Sequence, residues 1–116
     1  MLAACGGEPE APPTPTLSPQ LQVGSDTFTG NCAICHALTP ETIIRGPSLH
    51  NIANTAATRV DGLSAEAYIN QSILQPSDYL VDGFEDIMLT SLAKDLTGEE
   101  LDAVVAYLLT FDSVDQ

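Results

Sequence analysis

The sequence predicts an all-α domain: three main helices joined by long loops that wrap one bound group. Three observations lead there. Apolar residues recur at helical spacing in three segments, and no segment alternates convincingly with period two. Two stretches, roughly 37–63 and 77–96, carry no strong periodicity, and structureless loops of that length inside a compact domain need something to wrap. Finally, the 116 residues are 44% hydrophobic but only 5% aromatic, with no Trp, so side chains alone fill a core poorly. Three cysteines are too few, and odd in number, for a disulfide framework. A metal or a large cofactor would supply what the side chains lack.

The first element in chain order is not a helix. Residues 6–19, GGEPEAPPTPTLSP, hold five of the eight prolines and no apolar periodicity. They read as an extended linker of polyproline II character with roughly 40 Å of reach. Residues 1–20 are therefore set apart as a tether, and the folded domain is placed at 21–116. A short, weakly patterned helix is expected over 21–31, with Val23 and Phe28 on or near one face. Ser64 caps a second helix, SAEAYINQSILQ, in which Tyr68, Ile69 and Ile73 stand at helical spacing before Pro76 stops it. The third helix carries the strongest signal. Thr97 and Glu100 form a capping box, Glu99 and Glu100 sit where the helix dipole favours anions, and Leu101, Val104, Val105 and Leu108 follow at i, i+3, i+4, i+7.

Charge narrows the partners. Three Lys+Arg against 16 Asp+Glu leave a formal net charge of −13, which repels nucleic acid and anionic lipid headgroups. Nucleic acid is not expected as a partner. The apolar content is too high for a disordered acidic tail, and no run of about 18 apolar residues could span a bilayer.

Chemistry is concentrated at Cys32-Ala33-Ile34-Cys35-His36. The spacing C-x-x-C-H is the haem-attachment pattern. Two thiols add across the haem vinyl groups as thioethers, a two-residue spacer brings both sulfurs to one porphyrin edge, and the next residue supplies an imidazole under the iron. Competing readings have less support. A thioredoxin-like redox pair belongs near a βαβ pattern, which the sequence lacks. Half a zinc site needs a second ligand pair, and Cys5 and His50 do not make one. On the far side of the iron, Met88 is the only methionine apart from Met1 and lies in the loop before the third helix. A thioether there stabilises ferrous iron and raises the potential. The alternatives are Met88 as core filler, His50 as a second imidazole ligand, or an open site.

Taken in order, these elements make residues 21–111 resemble the class I monohaem cytochrome c family. Gly24 and Phe28 stand ahead of Cys32 as the family's N-terminal helix glycine and aromatic do. Gly46-Pro47-Ser48-Leu49 matches its G-P-x-L loop, Met88 its distal ligand, and Leu101 to Leu108 with Tyr107 its C-terminal helix. The resemblance implies one covalent haem c and a close approach of Gly24 to Tyr107. It also implies a Pro47 carbonyl bonded to the outer ring nitrogen of His36, and Leu49 packed on the haem face. Arg45, Arg59 and Lys94 are the only basic side chains, and Arg59 falls in the loop expected over the haem propionates, where it is expected to pair with one. Tyr68 and Tyr79 are further candidates to donate to a propionate or to line the pocket. One departure stands out: the family's distal methionine is commonly followed by proline, and here Leu89 follows.

Leu2-Ala3-Ala4-Cys5 matches a bacterial lipobox, whose cysteine carries a diacylglycerol thioether. The charged and apolar regions of a signal peptide do not precede it in this sequence. Cys5 is expected to anchor the protein to a cell membrane, with the domain on the extracytoplasmic, periplasmic face. The whole pattern is similar to the monohaem lipoprotein subunit of alternative complex III, a quinol:acceptor oxidoreductase. That resemblance implies electron transfer without catalysis of bond chemistry, a multihaem cytochrome as donor, and a downstream carrier or oxidase as acceptor. The alternatives are a tethered or diffusible periplasmic shuttle, the cytochrome subunit of a terminal oxidase, or a haem sensor with an open iron site.

Overall fold

The computed structural model describes residues 17–112. Five helices run in order: α1 (Pro19–Asn31), α2 (Ile52–Ala56), α3 (Ala65–Leu74), α4 (Leu92–Asp95) and α5 (Gly98–Leu108), with a 3₁₀ turn at Pro76–Asp78 after α3. Among the described residues there is no strand, only one antiparallel bridge between His36 and Ile43. The fold is all-α, as the periodicity predicts.

α1 starts two residues earlier than expected. Pro19 is not linker but the first residue of the helix, where its missing N–H costs nothing, and the Ser18 hydroxyl accepts from the Leu21 N–H at 3.2 Å. Its buried face is Gly24, Thr27 and Phe28, and Val23 flanks it half-buried. α3 begins at its expected cap, with the Ser64 hydroxyl accepting from the Ala67 N–H at 3.1 Å, and buries Tyr68, Ile69 and Ile73. In α5 both bonds of the capping box form: Thr97 Oγ1 accepts from the Glu100 N–H (3.0 Å) and Glu100 Oε1 from the Thr97 N–H (2.9 Å).

α1 and α5 make the most extensive contact between elements. Gly24 is its pivot: a Cβ there would overlap the Ala103 carbonyl oxygen and stand 2.6 Å from Tyr107 Cβ. Ala103 is accordingly fully buried, while Leu101, expected on the core stripe, is only half-buried. The Phe28 and Tyr107 rings meet at 6.3 Å between centroids. The core continues through Val104, Val105 and Leu108 to Ile69 and Ile73 of α3 and Ile52 of α2. α2, α4 and the 3₁₀ turn lie inside or at the edge of the stretches read as irregular. They span only five, four and three residues, too short for a periodic signal.

Candidate functional site

The site begins where α1 ends. The Cys32 N–H closes the last turn on the Phe28 carbonyl (2.8 Å), and the Cys32 carbonyl then accepts from the N–H groups of Cys35 (3.0 Å) and His36 (2.9 Å). This turn sets Cys32 and His36 one helical turn apart, hence on one side, with Cys35 beside them. All three line a cleft of about 190 Å³ with mostly apolar walls. Both thiols are half-buried and unbridged. Burial, reinforced by the neighbouring Cys35 sulfur, pushes the Cys32 thiol up to about 11, the opposite of what a thiolate-based redox pair needs. Among the described residues, no three His, Cys, Asp or Glu side chains converge as metal ligands, so a zinc site finds no second half there.

His36 is held by the chain itself. Its Nδ1 donates to the Pro47 carbonyl at 2.8 Å, which leaves the Nε2 lone pair for a metal. Burial lowers the His36 pKa, and the Pro47 bond opposes that in part, so the ring stays in the neutral form that ligation requires. The Pro47 segment is pinned to the motif: the Cys35 carbonyl accepts from the Arg45 (3.2 Å) and Gly46 (2.8 Å) N–H groups, and the Leu49 N–H donates to the Ala37 carbonyl (2.8 Å). Gly46 lies so close to the imidazole that a Cβ would stand 2.5 Å from His36 Cε1 and 2.9 Å from Nδ1. The G-P-x-L match pointed to Pro47. It missed this steric demand on Gly46, for which a glycine next to a proline was the only signal.

Met88 and Leu49 both line the same cleft. His50 does not: its Nδ1 pairs with the Leu38 carbonyl at 3.2 Å, away from the cleft. Arg59 Nη1 donates to Tyr68 Oη at 3.0 Å, and its guanidinium lies 5.8 Å from the centre of the Tyr68 ring. Tyr79 meets Tyr68 edge-on at 5.8 Å. Arg59 and both tyrosines line the cleft, as does Arg45, whereas Lys94 does not. The Tyr68–Arg59 pairing was not legible in the sequence, because the two residues come from different elements.

A family model described as Cytochrome c matches residues 21–112. The chain belongs to the cytochrome c family. No curated protein matches the chain closely enough to be named as a relative. As a class I cytochrome c, the protein carries one covalently bound haem c and acts in electron transfer. The cleft suits that group: two thiols and an imidazole stand at one edge, a thioether joins them from another segment, the walls are apolar, and two guanidinium groups are available to carboxylates.

Proposed function

We propose that this cytochrome is a one-electron carrier, not a catalyst of bond chemistry, held on the extracytoplasmic face of a cell membrane. Haem c, when bound, would supply the one-electron Fe(III)/Fe(II) chemistry. Cys32 and Cys35 would attach it, and His36 Nε2 and the Met88 thioether would hold its iron. Leu49 packs on the haem face, and Arg59, steadied by Tyr68, pairs with a propionate. The single observation that carries the ligand set is the shared cleft: His36, with Nδ1 occupied by Pro47, and Met88 line it together, and His50 stays out. A methionine–iron charge-transfer band without CO binding is the expected spectrum. Ready CO binding with no such band would replace this reading by an open-site sensor.

Cys5 and most of the tether lie outside the described residues, so the anchor rests on the lipobox and the odd cysteine count in the sequence. No helix among the described residues is long and apolar enough to cross a membrane. Within the membrane the protein acts as a subunit of a quinol:acceptor oxidoreductase of the alternative complex III kind. It takes electrons from a multihaem cytochrome and passes them to a downstream carrier or oxidase. Mild-detergent purification from native membranes, with the co-purifying chains and the intact mass determined, tests both parts. A multihaem partner and a diacylglycerol adduct are expected. A lone monohaem species would favour a tethered shuttle.

A further inference from the structure

The segment that leads to Met88 is closed on itself. Ser77 sits in the 3₁₀ turn Pro76–Asp78, on a firm platform. Pro76 is buried, the Asp78 N–H donates to the Gln75 carbonyl (3.0 Å), and the Gln75 N–H donates to the Gln71 carbonyl of α3 (2.7 Å). The chain then passes Tyr79, which meets Tyr68 of α3 edge-on at 5.8 Å. It turns between Val81 and Phe84, where the Phe84 N–H donates to the Val81 carbonyl (3.0 Å) and Gly83 takes a φ of +91° that suits glycine. On the return it reaches Asp86, whose carboxylate accepts from the Ser77 hydroxyl at 2.9 Å across nine positions of sequence. Segment 77–86 is thus a small Ω-loop with its neck closed by one side-chain bond. Tyr79, Leu80, Val81 and Phe84 within it line the cleft, and Met88 follows two residues after the neck.

Little else of the local chain fixes Met88. Pro76 is the last of the eight prolines and Leu89 follows Met88, so no ring locks the backbone there. The Ile87 N–H donates to the Glu85 carbonyl (2.9 Å), a bond that stays within the segment. Among the described residues, the Ser77–Asp86 bond is the only hydrogen bond that joins residues 85–88 to another part of the chain. Resting on Met88 as the distal ligand, we propose that Ser77 and Asp86 are positioning residues whose bond clasps the loop, so that the Met88 thioether stays presented to the cleft and resists displacement. Neither side chain lines the cleft, so both act through the two residues that separate Asp86 from Met88. A carboxylate acceptor strengthens the bond. Both side chains are exposed, so water competes and the clasp tunes the ligand rather than deciding whether the protein folds.

The test is displacement of Met88 by added imidazole in the ferric full-length holoprotein, followed by loss of the methionine–iron charge-transfer band. Imidazole binds when the Met88 segment moves aside, so its apparent affinity reports how populated that state is. Ser77→Ala is expected to raise the affinity about five-fold, the worth of one exposed hydrogen bond, with the band before addition unchanged. Asp86→Ala should match it, and Ser77→Ala/Asp86→Ala should add nothing beyond either single change, because the same bond is lost in all three. Ser77→Thr keeps the hydroxyl and should bind imidazole as the parent does. Thr97→Ala loosens the α5 cap, outside the cleft lining, and should leave the affinity at the parent's value, which separates the clasp from a general loss of stability. The proposal is overturned if Ser77→Ala and Asp86→Ala bind imidazole no more tightly than the parent, if their effects add in the double variant, or if Thr97→Ala binds it as tightly as they do. Ser77→Thr behaving like Ser77→Ala would overturn it as well. A parent that lacks the charge-transfer band would instead remove the Met88 ligand reading, and the clasp with it.

Discussion

Residues 32–49 hold the imidazole with a series of backbone bonds, from Cys32 through the doubly used Cys35 carbonyl to Pro47 and Leu49. Residues 77–89 hold Met88 with fewer: the Asp78 N–H to the Gln75 carbonyl (3.0 Å), the Phe84 N–H to the Val81 carbonyl (3.0 Å), the Ile87 N–H to the Glu85 carbonyl (2.9 Å), the Leu92 N–H to the Leu89 carbonyl (3.5 Å), and the Ser77 hydroxyl to the Asp86 carboxylate (2.9 Å). Tyr79, Leu80, Ile87 and Leu89 remain exposed there. The His36 side of the cleft is thus tied together by more of the chain's own hydrogen bonds than the Met88 side.

The largest effect should come from Cys32→Ser/Cys35→Ser, which removes the thioethers on the proposed assignment. Haem staining after denaturing electrophoresis should vanish. Hydrogen exchange of that haem-free chain would then expose the contrast: the amides of Arg45, Gly46 and Leu49 should stay protected while those of Phe84 and Ile87 exchange freely. Equal exchange on both sides would end the comparison. Met88→Ala comes next. The charge-transfer band should disappear, CO should bind, and the midpoint potential should fall by on the order of 0.1 V, a fraction of the range axial ligands span. Secondary structure should persist, because Met88 lies outside the helices and is only partly buried against their core.

Smaller effects separate the two kinds of close packing. Gly46→Ala forces a Cβ against the His36 ring, and the cost of overpacking, about 1–3 kcal/mol, should appear as a lower melting temperature together with an altered haem spectrum. Gly24→Ala meets the Ala103 carbonyl and should cost a similar ~1–3 kcal/mol while leaving the spectrum alone, since that contact lies in the helix pair rather than in the cleft. Thr97→Ala removes one bond of the α5 cap and should cost only about 1 kcal/mol in denaturant unfolding, with no change in potential.

The capped helices were legible because their signals are local. Ser64, Thr97 and Glu100 act within one turn, and the i, i+3, i+4 pattern needs no knowledge of the rest of the chain. The attachment pattern was legible for the same reason, since its geometry is set by five consecutive residues. Elements of three to five residues left no period to read, and the start of α1 was hidden by a proline that served equally well as linker or as first helical residue.

By itself, then, the sequence determined the helical class, the covalent haem motif and the acidic surface, all of which follow from neighbouring residues or from a count. Only the tertiary structure decided which of Met88 and His50 enters the cleft, why Gly46 and Gly24 must lack a side chain, and that Arg59 leans on Tyr68. Those outcomes depend on distances between segments far apart in the chain. A few ångströms of backbone approach, set by how α1, α3 and α5 pack, is information that no local pattern carries.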